Sequence, residues 1–259
     1  MARESSARDA RSDITIGLVV PFAADEVPAE GPIMYPGVRF IPRGVGVKAL
    51  TPDGYEDAFN GIIPAAEHLA AQGVEAIMVI GTSLTFYRGY DAHELLLERL
   101  RQVTGLPVST MSEAIVEGLR AVGAREIAVC TAYGEEVNER LAMFLAVAGF
   151  DVLALEGFGL IDFGDPAQKS EDEIIALCSR VYERAPRAEG LLISCGGLRT
   201  LGVARPVEER HGVPVVSSAT AAFWAAMRLV GESGHVPGYG RMLERSHERA
   251  RSHANSARI

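Results

Sequence analysis

Cysteine is scarce in this 259-residue chain, which contains three: Cys130, Cys178 and Cys195. A sparse, odd-numbered set without a Cys-x-x-Cys pair supports neither a disulfide framework nor a zinc signature, so a reducing cytoplasm is the expected location. Basic charge is also short, with 25 Lys and Arg against 34 Asp and Glu and a formal net charge of −9. That balance argues against nucleic acid or an anionic membrane as a partner. No apolar run approaches the ~20 residues of a membrane-spanning helix, and residues 1–13 contain no secretory-type hydrophobic segment. Those residues and the Arg/His/Ser-rich segment 244–259 read as disordered extensions.

The common cofactor and nucleophile signatures are missing too. The segment "GVGVKA" lacks a full GxGxxG pattern, and there is neither a GxxxxGK[ST] phosphate loop nor a GxSxG elbow. His68, His93, His211, His235, His247 and His253 fall in expected helices, turns or tails without metal-ligand spacing. A reaction that needs no cofactor and no metal is the simplest expectation.

What is present is a 48% hydrophobic chain in which short β-branched runs alternate with helical patterns. The spacing predicts strands at 14–20, 76–81, 107–111, 126–132, 190–195 and 213–218, and helices at 55–72, 93–103, 112–122, 135–148, 171–184 and 219–231. Continuous apolar strands between helices indicate parallel sheets buried on both faces. The order of elements also repeats: "GLPVSTMSEAIVEGLRAVG" (105–123) resembles "GVPVVSSATAAFWAAMRLVG" (212–231). The expected architecture is therefore α/β, with two similar Rossmann-like halves related by a pseudo-twofold axis. The first domain spans 14–118 and is completed by 218–243; the second spans 119–217.

Ligands in such sheets bind beyond the carboxyl ends of the strands, which draws attention to the strand exits Pro21, Gly81, Tyr133 and Cys195. "GTSLTFYRG" (81–89) offers Thr82 and Ser83, whose hydroxyls suit anion binding or helix capping. Tyr133 could donate its phenol to a substrate oxygen or simply pack its ring. Cys130 and Cys178 lie in a strand and a helix pattern and read as core cysteines. Cys195, in "LLISCGGLRT", ends a strand and precedes Gly196 and Gly197, which allow close backbone approach to a ligand.

These motifs resemble the aspartate/glutamate racemase superfamily and, within it, the arylmalonate decarboxylases. The likeness rests on "GTSLTFYRG", "TAYGEEVNERLAMFLA", "LLISCGGLRTL" and "GVPVVSSATAAFWAAMRL", and runs from about Thr15 to residue 243. Racemases and maleate isomerases of that superfamily carry two cysteines, one at each strand exit; here the first position is Gly81 and only Cys195 remains. The resemblance implies cofactor-free decarboxylation of a small dicarboxylate, a 2-aryl-malonate, with Cys195 as proton donor to an enediolate. It further implies an oxyanion pocket of Thr82, Ser83, Tyr133 and Gly196, and an apolar pocket of Pro21, Val47, Leu50, Ile80, Leu84 and Phe163. Where the family has a Pro-Pro exit, this chain has Pro21-Phe22, which puts the shape of the pocket in question. A racemase or cis–trans isomerase, or a non-catalytic carboxylate binder, are the alternatives. A monomer or small homo-oligomer is expected.

Overall fold

The computed structural model describes residues 14–244; the extension expected over 1–13, and all of the expected tail except Glu244, lie outside the described residues. Strands β1 (Thr15–Val20), β2 (Arg39–Gly44), β3 (Ala76–Val79) and β4 (Val108–Thr110) form a parallel sheet in the order β2-β1-β3-β4. Strands β5 (Glu126–Tyr133), β6 (Asp151–Leu160), β7 (Gly190–Ser194) and β8 (Val215–Ser217) repeat that order as β6-β5-β7-β8. The helices are α1 (Glu30–Met34), α2 (Pro52–Ala71), α3 (Thr82–Phe86), α4 (Tyr90–Thr104), α5 (Met111–Val122), α6 (Glu135–Val147), α7 (Glu171–Arg184), α8 (Ala204–His211) and α9 (Ser218–Leu229). No helix among the described residues is long and apolar enough to cross a membrane.

The two-half α/β plan is present, and the six expected strands are all found. Two further strands, β2 and β6, were not expected, and both are sheet edges. β2 reads "RFIPRG", with a proline that an interior strand would not accommodate and two arginines facing water. β6 is half-exposed along most of its length and contains Gly157 and Gly159. Partial exposure along these two edges weakens the continuous apolar signal that betrays β1, where Ile16 to Val20 are buried.

The internal repeat has a physical basis. Gly105 and Gly212 end α4 and α8 in the left-handed conformation, with φ of 67° and 76°. A residue and a proline then lead into β4 and β8, since proline cannot continue a helix. At the other end of these short strands, Thr110 and Ser217 cap α5 and α9 by accepting from the backbone N–H of Glu113 (3.0 Å) and Thr220 (3.4 Å). The helices α5 and α9 pack on each other, and each contacts both sheets, α5 at β4, β7 and β8 and α9 at β3, β4, β7 and β8. Their buried faces join the halves into one core, so the strand exits are held on a rigid frame.

Candidate active site

In each half the chain runs from the first strand outward to the edge and then returns to the opposite side of the first strand. The switch points are β1/β3 and β5/β7, where crevices open beyond the strand ends. One cavity of about 130 Å³ joins the two crevices. For scale, an engineered apolar cavity of about 150 Å³ holds a benzene.

Pro21 leaves β1, Ile80 and Gly81 leave β3, Tyr133 ends β5, and Cys195 with Gly196 follows β7; all line this cavity. Thr82, Ser83 and Leu84 enter from the first turn of α3, Val47 and Leu50 from the connection between β2 and α2, and Phe163 from the loop after β6. Every site residue expected from the sequence is thus brought to one cavity. One strand-like contact joins the halves at its side, an antiparallel bridge between Ala49 and Asp162 with a hydrogen bond from Leu50 N–H to the Ile161 carbonyl at 2.8 Å.

The wall is chiefly apolar, with a small polar cluster at one end. Cys195 is 6% exposed, and burial pushes its thiol up to about 11. The backbone of Gly197 and Leu198 and the nearby Tyr133 phenol pull the other way without prevailing. The thiol is therefore neutral at physiological pH. Cys195 is also the single described non-glycine residue with positive φ, 153°. Such a conformation costs about 1–3 kcal/mol and persists only where the surroundings hold it. Its backbone N–H donates to Ser218 Oγ at 3.3 Å, a residue at the start of α9.

Tyr133 is wholly buried, and its hydroxyl makes no hydrogen bond within the protein; the same holds for Tyr55 and Ser194. Burial is the main cause that raises the Tyr133 and Tyr55 phenols above their ordinary range, so both remain protonated donors. Unpartnered hydroxyls at a cavity carry a desolvation penalty that a hydrogen-bonding ligand would relieve.

Helix capping, one reading of Thr82 and Ser83, is not their role. The residue before α3 is Gly81, with φ of 120° and no side-chain cap. The Thr82 hydroxyl instead donates to Ser218 Oγ at 2.9 Å, which ties α3 to α9. The backbone N–H groups of the first turn of α3 have no partners within the helix, and Ser83 keeps its hydroxyl beside Tyr55 and Tyr133.

The family model for arylmalonate decarboxylase matches residues 16–243. The chain belongs to the arylmalonate decarboxylase family. It is a carbon–carbon lyase of the carboxy-lyase type. It is 44% identical over 233 residues to arylmalonate decarboxylase of Bordetella bronchiseptica, covering 90% of this chain and 97% of that protein. A structure of an arylmalonate decarboxylase variant in liganded form, with a glycine changed to cysteine and a cysteine to serine, superposes with a TM-score of 0.87. The match has 43% identity and covers 89% of this chain and 98% of that one. The maleate isomerase of Pseudomonas putida S16 shares the fold, with a TM-score of 0.83 at 22% identity over 90% of this chain and 99% of its own.

Several lining residues of this arylmalonate decarboxylase family member were not legible in the sequence. Tyr55 comes from the first turns of α2, Pro28 and Gly164 from loops, and Pro166 and Ala167 from a single 3-10 turn, Asp165–Gln168. Phe22, the departure noted after Pro21, also lines the cavity and meets Phe163 edge-on, with ring centroids 6.0 Å apart. This pair makes one apolar wall from both halves.

Proposed function

We propose that the protein decarboxylates 2-aryl-malonates without a cofactor and protonates the product from a single face. The observation that carries this reading is the neutral, buried Cys195 thiol in the same cavity as Gly81, where no second thiol stands.

In this reading one carboxylate lies among Ser83, Tyr133, Tyr55 and the backbone N–H groups near Ser83 and Gly196. The other lies against the apolar wall of Pro21, Val47, Leu50, Ile80 and Leu84, and the aryl ring extends toward Phe163. Breaking the bond to the second carboxylate releases CO2 and leaves its electron pair on the α-carbon, delocalised into the retained carboxylate as an enediolate. Donors preorganised around those oxygens stabilise the charge as it develops. The Cys195 S–H proton then passes to the α-carbon, and the electron pair of the S–H bond stays on sulfur. The backbone of Gly197 and Leu198 and the Tyr133 hydroxyl favour the thiolate, which recovers its proton from water.

A second observation supports treating Gly81 and Cys195 as a matched pair of positions. In the arylmalonate decarboxylase variant described above, the glycine and cysteine exchanged are 114 residues apart, as are Gly81 and Cys195 here. The test is incubation with phenylmalonate and with a 2-methyl-2-aryl analogue, following CO2 release and product chirality. Turnover that yields one enantiomer and is lost in Cys195→Ala is expected. No turnover above that variant, or a racemic product, refutes the reading. Exchange of deuterium into a 2-arylpropionate without CO2 release would instead favour a racemase.

A further inference from the structure

We propose that His93, Glu94 and Glu113 form a binding site for one divalent transition-metal ion, outside the substrate cavity, that ties α4 to α5. One ligand atom from each residue lies within 4.8 Å of the others, and none of the three lines the cavity. Metal–ligand bonds of about 2.0–2.2 Å require two ligand atoms on one ion to lie within about 4.4 Å. Side-chain rotation at the two glutamates would bring the three atoms into that range.

The independent observation is His93 itself. Its side chain is fully buried, yet Nδ1 has no hydrogen-bond partner. That nitrogen lies 3.5 Å from Glu94 Oε1. The other ring nitrogen is held: Nε2 lies 2.7 Å from Thr110 Oγ1, which also accepts from Glu113 N–H at 3.0 Å. With the proton on Nε2 and donated to Thr110, the Nδ1 lone pair is aimed into the cluster. This is how an outer hydrogen bond orients a ligating imidazole. The rings of Tyr90 and Phe144 pack against His93 at 6.3 and 5.3 Å and keep it from turning away.

Charge and chemistry agree. Burial holds the imidazole neutral, down to about 4, and a metal ligand must be neutral. Burial raises the Glu113 carboxyl, and the negative charges of Glu117 and Glu94 raise it further, so a cation there relieves both. Arg101 and Arg120 act on the same cluster, but their guanidinium groups donate to the carbonyls of Val108 and Ala148. One imidazole nitrogen and two carboxylate oxygens suit zinc, manganese, iron or cobalt, with water completing the shell. Reading histidine spacing along the chain does not find this site, because its ligands come from two helices. An ion here would brace the start of α5, where Ser112 donates to the Thr82 carbonyl at 2.9 Å behind the substrate cavity.

The test uses the full chain stripped with chelator and titrated with Co²⁺ or Zn²⁺ by calorimetry and thermal unfolding. Saturable one-to-one binding that raises the melting temperature is expected, weakened at least about tenfold in Glu113→Gln and in Glu94→Gln. Because Glu94 is exposed, its variant keeps the test valid if a change at Glu113 disturbs folding. A d–d absorption band from Co²⁺ should disappear in the double variant. The proposal is overturned if no one-to-one binding occurs up to about 1 mM metal. It is equally overturned if the double variant binds as tightly as the parent, which would place the ion elsewhere.

Discussion

At the end of β3 the chain turns through Gly81 into α3; at the end of β7 it turns through Cys195 into Gly196 and Gly197. Both turns need an unusual backbone, with φ of 120° and 153°. In the first half glycine meets that requirement at no steric cost and contributes no side chain. In the second half a residue with a side chain bears the strain, and the side chain is a thiol in the cavity. Strain kept at one of two equivalent positions points to use. The surroundings differ in the same sense. A Cβ on Gly81 would come within 3.2 Å of Leu84 Cβ, so the first exit is filled by an apolar side chain.

Removing the thiol abolishes this asymmetry and should have the largest effect: Cys195→Ala lowers decarboxylation about 10²–10⁴-fold, the range for loss of a positioned proton donor, read as CO2 release. Tyr133→Phe comes next, with a loss of about 10²–10³-fold in kcat. Because the Tyr133 hydroxyl has no protein partner, its melting temperature should stay close to that of the parent, which separates a catalytic loss from a structural one. Making the two exits alike is the third. Gly81→Cys should raise deuterium exchange into a 2-arylpropionate, while denaturant unfolding shows a loss of about 1–3 kcal/mol from its positive φ. Unchanged exchange would show that the two exits do not act on one carbon.

Phe22→Ala probes the shared apolar wall. It should admit bulkier aryl groups and change the ratio of kcat/KM between naphthyl and phenyl substrates by about 10–200-fold, the scale of one pocket contact. The smallest effect is expected from pH. If the Cys195 thiol, held at about 11, is the proposed donor, kcat should stay flat from about pH 7 to 9. It should fall only as pH passes through about 11 and the thiol loses its proton. The same raised value favours the folded state below the ordinary thiol range near ~8.5. That contribution fades as pH rises through about 11.

Much of the fold was legible because its central strands are buried on both faces and its capping signals repeat. The pairs Gly105/Gly212 and Thr110/Ser217 declare the same turn and cap twice. Two of the four edge strands were not legible, since β2 and β6 are partly exposed and tolerate Pro42, Gly157 and Gly159, whereas the buried edges β4 and β8 were. Short α1, α3 and α8 were also missed, being too brief to show a helical period. In the site, strand exits could be named from the chain because a strand end is a local event. Tyr55 and Ser218 could not, because each reaches the cavity region from a helix whose pattern reports only burial.

The sequence by itself determined the alternation of strands and helices, the repeat, the lone Cys195 and the glycine at the matching exit. All of these follow from neighbours along the chain, whose apolar period and backbone freedom are local properties. Only the tertiary structure decided that the exits share one cavity, that Thr82 binds Ser218 rather than capping a helix, and that His93 faces two carboxylates. Those outcomes depend on which buried faces meet when α5 and α9 lock the halves together, and on the water excluded there. Burial of that kind raises the Cys195 thiol and leaves the Tyr133 hydroxyl without a partner.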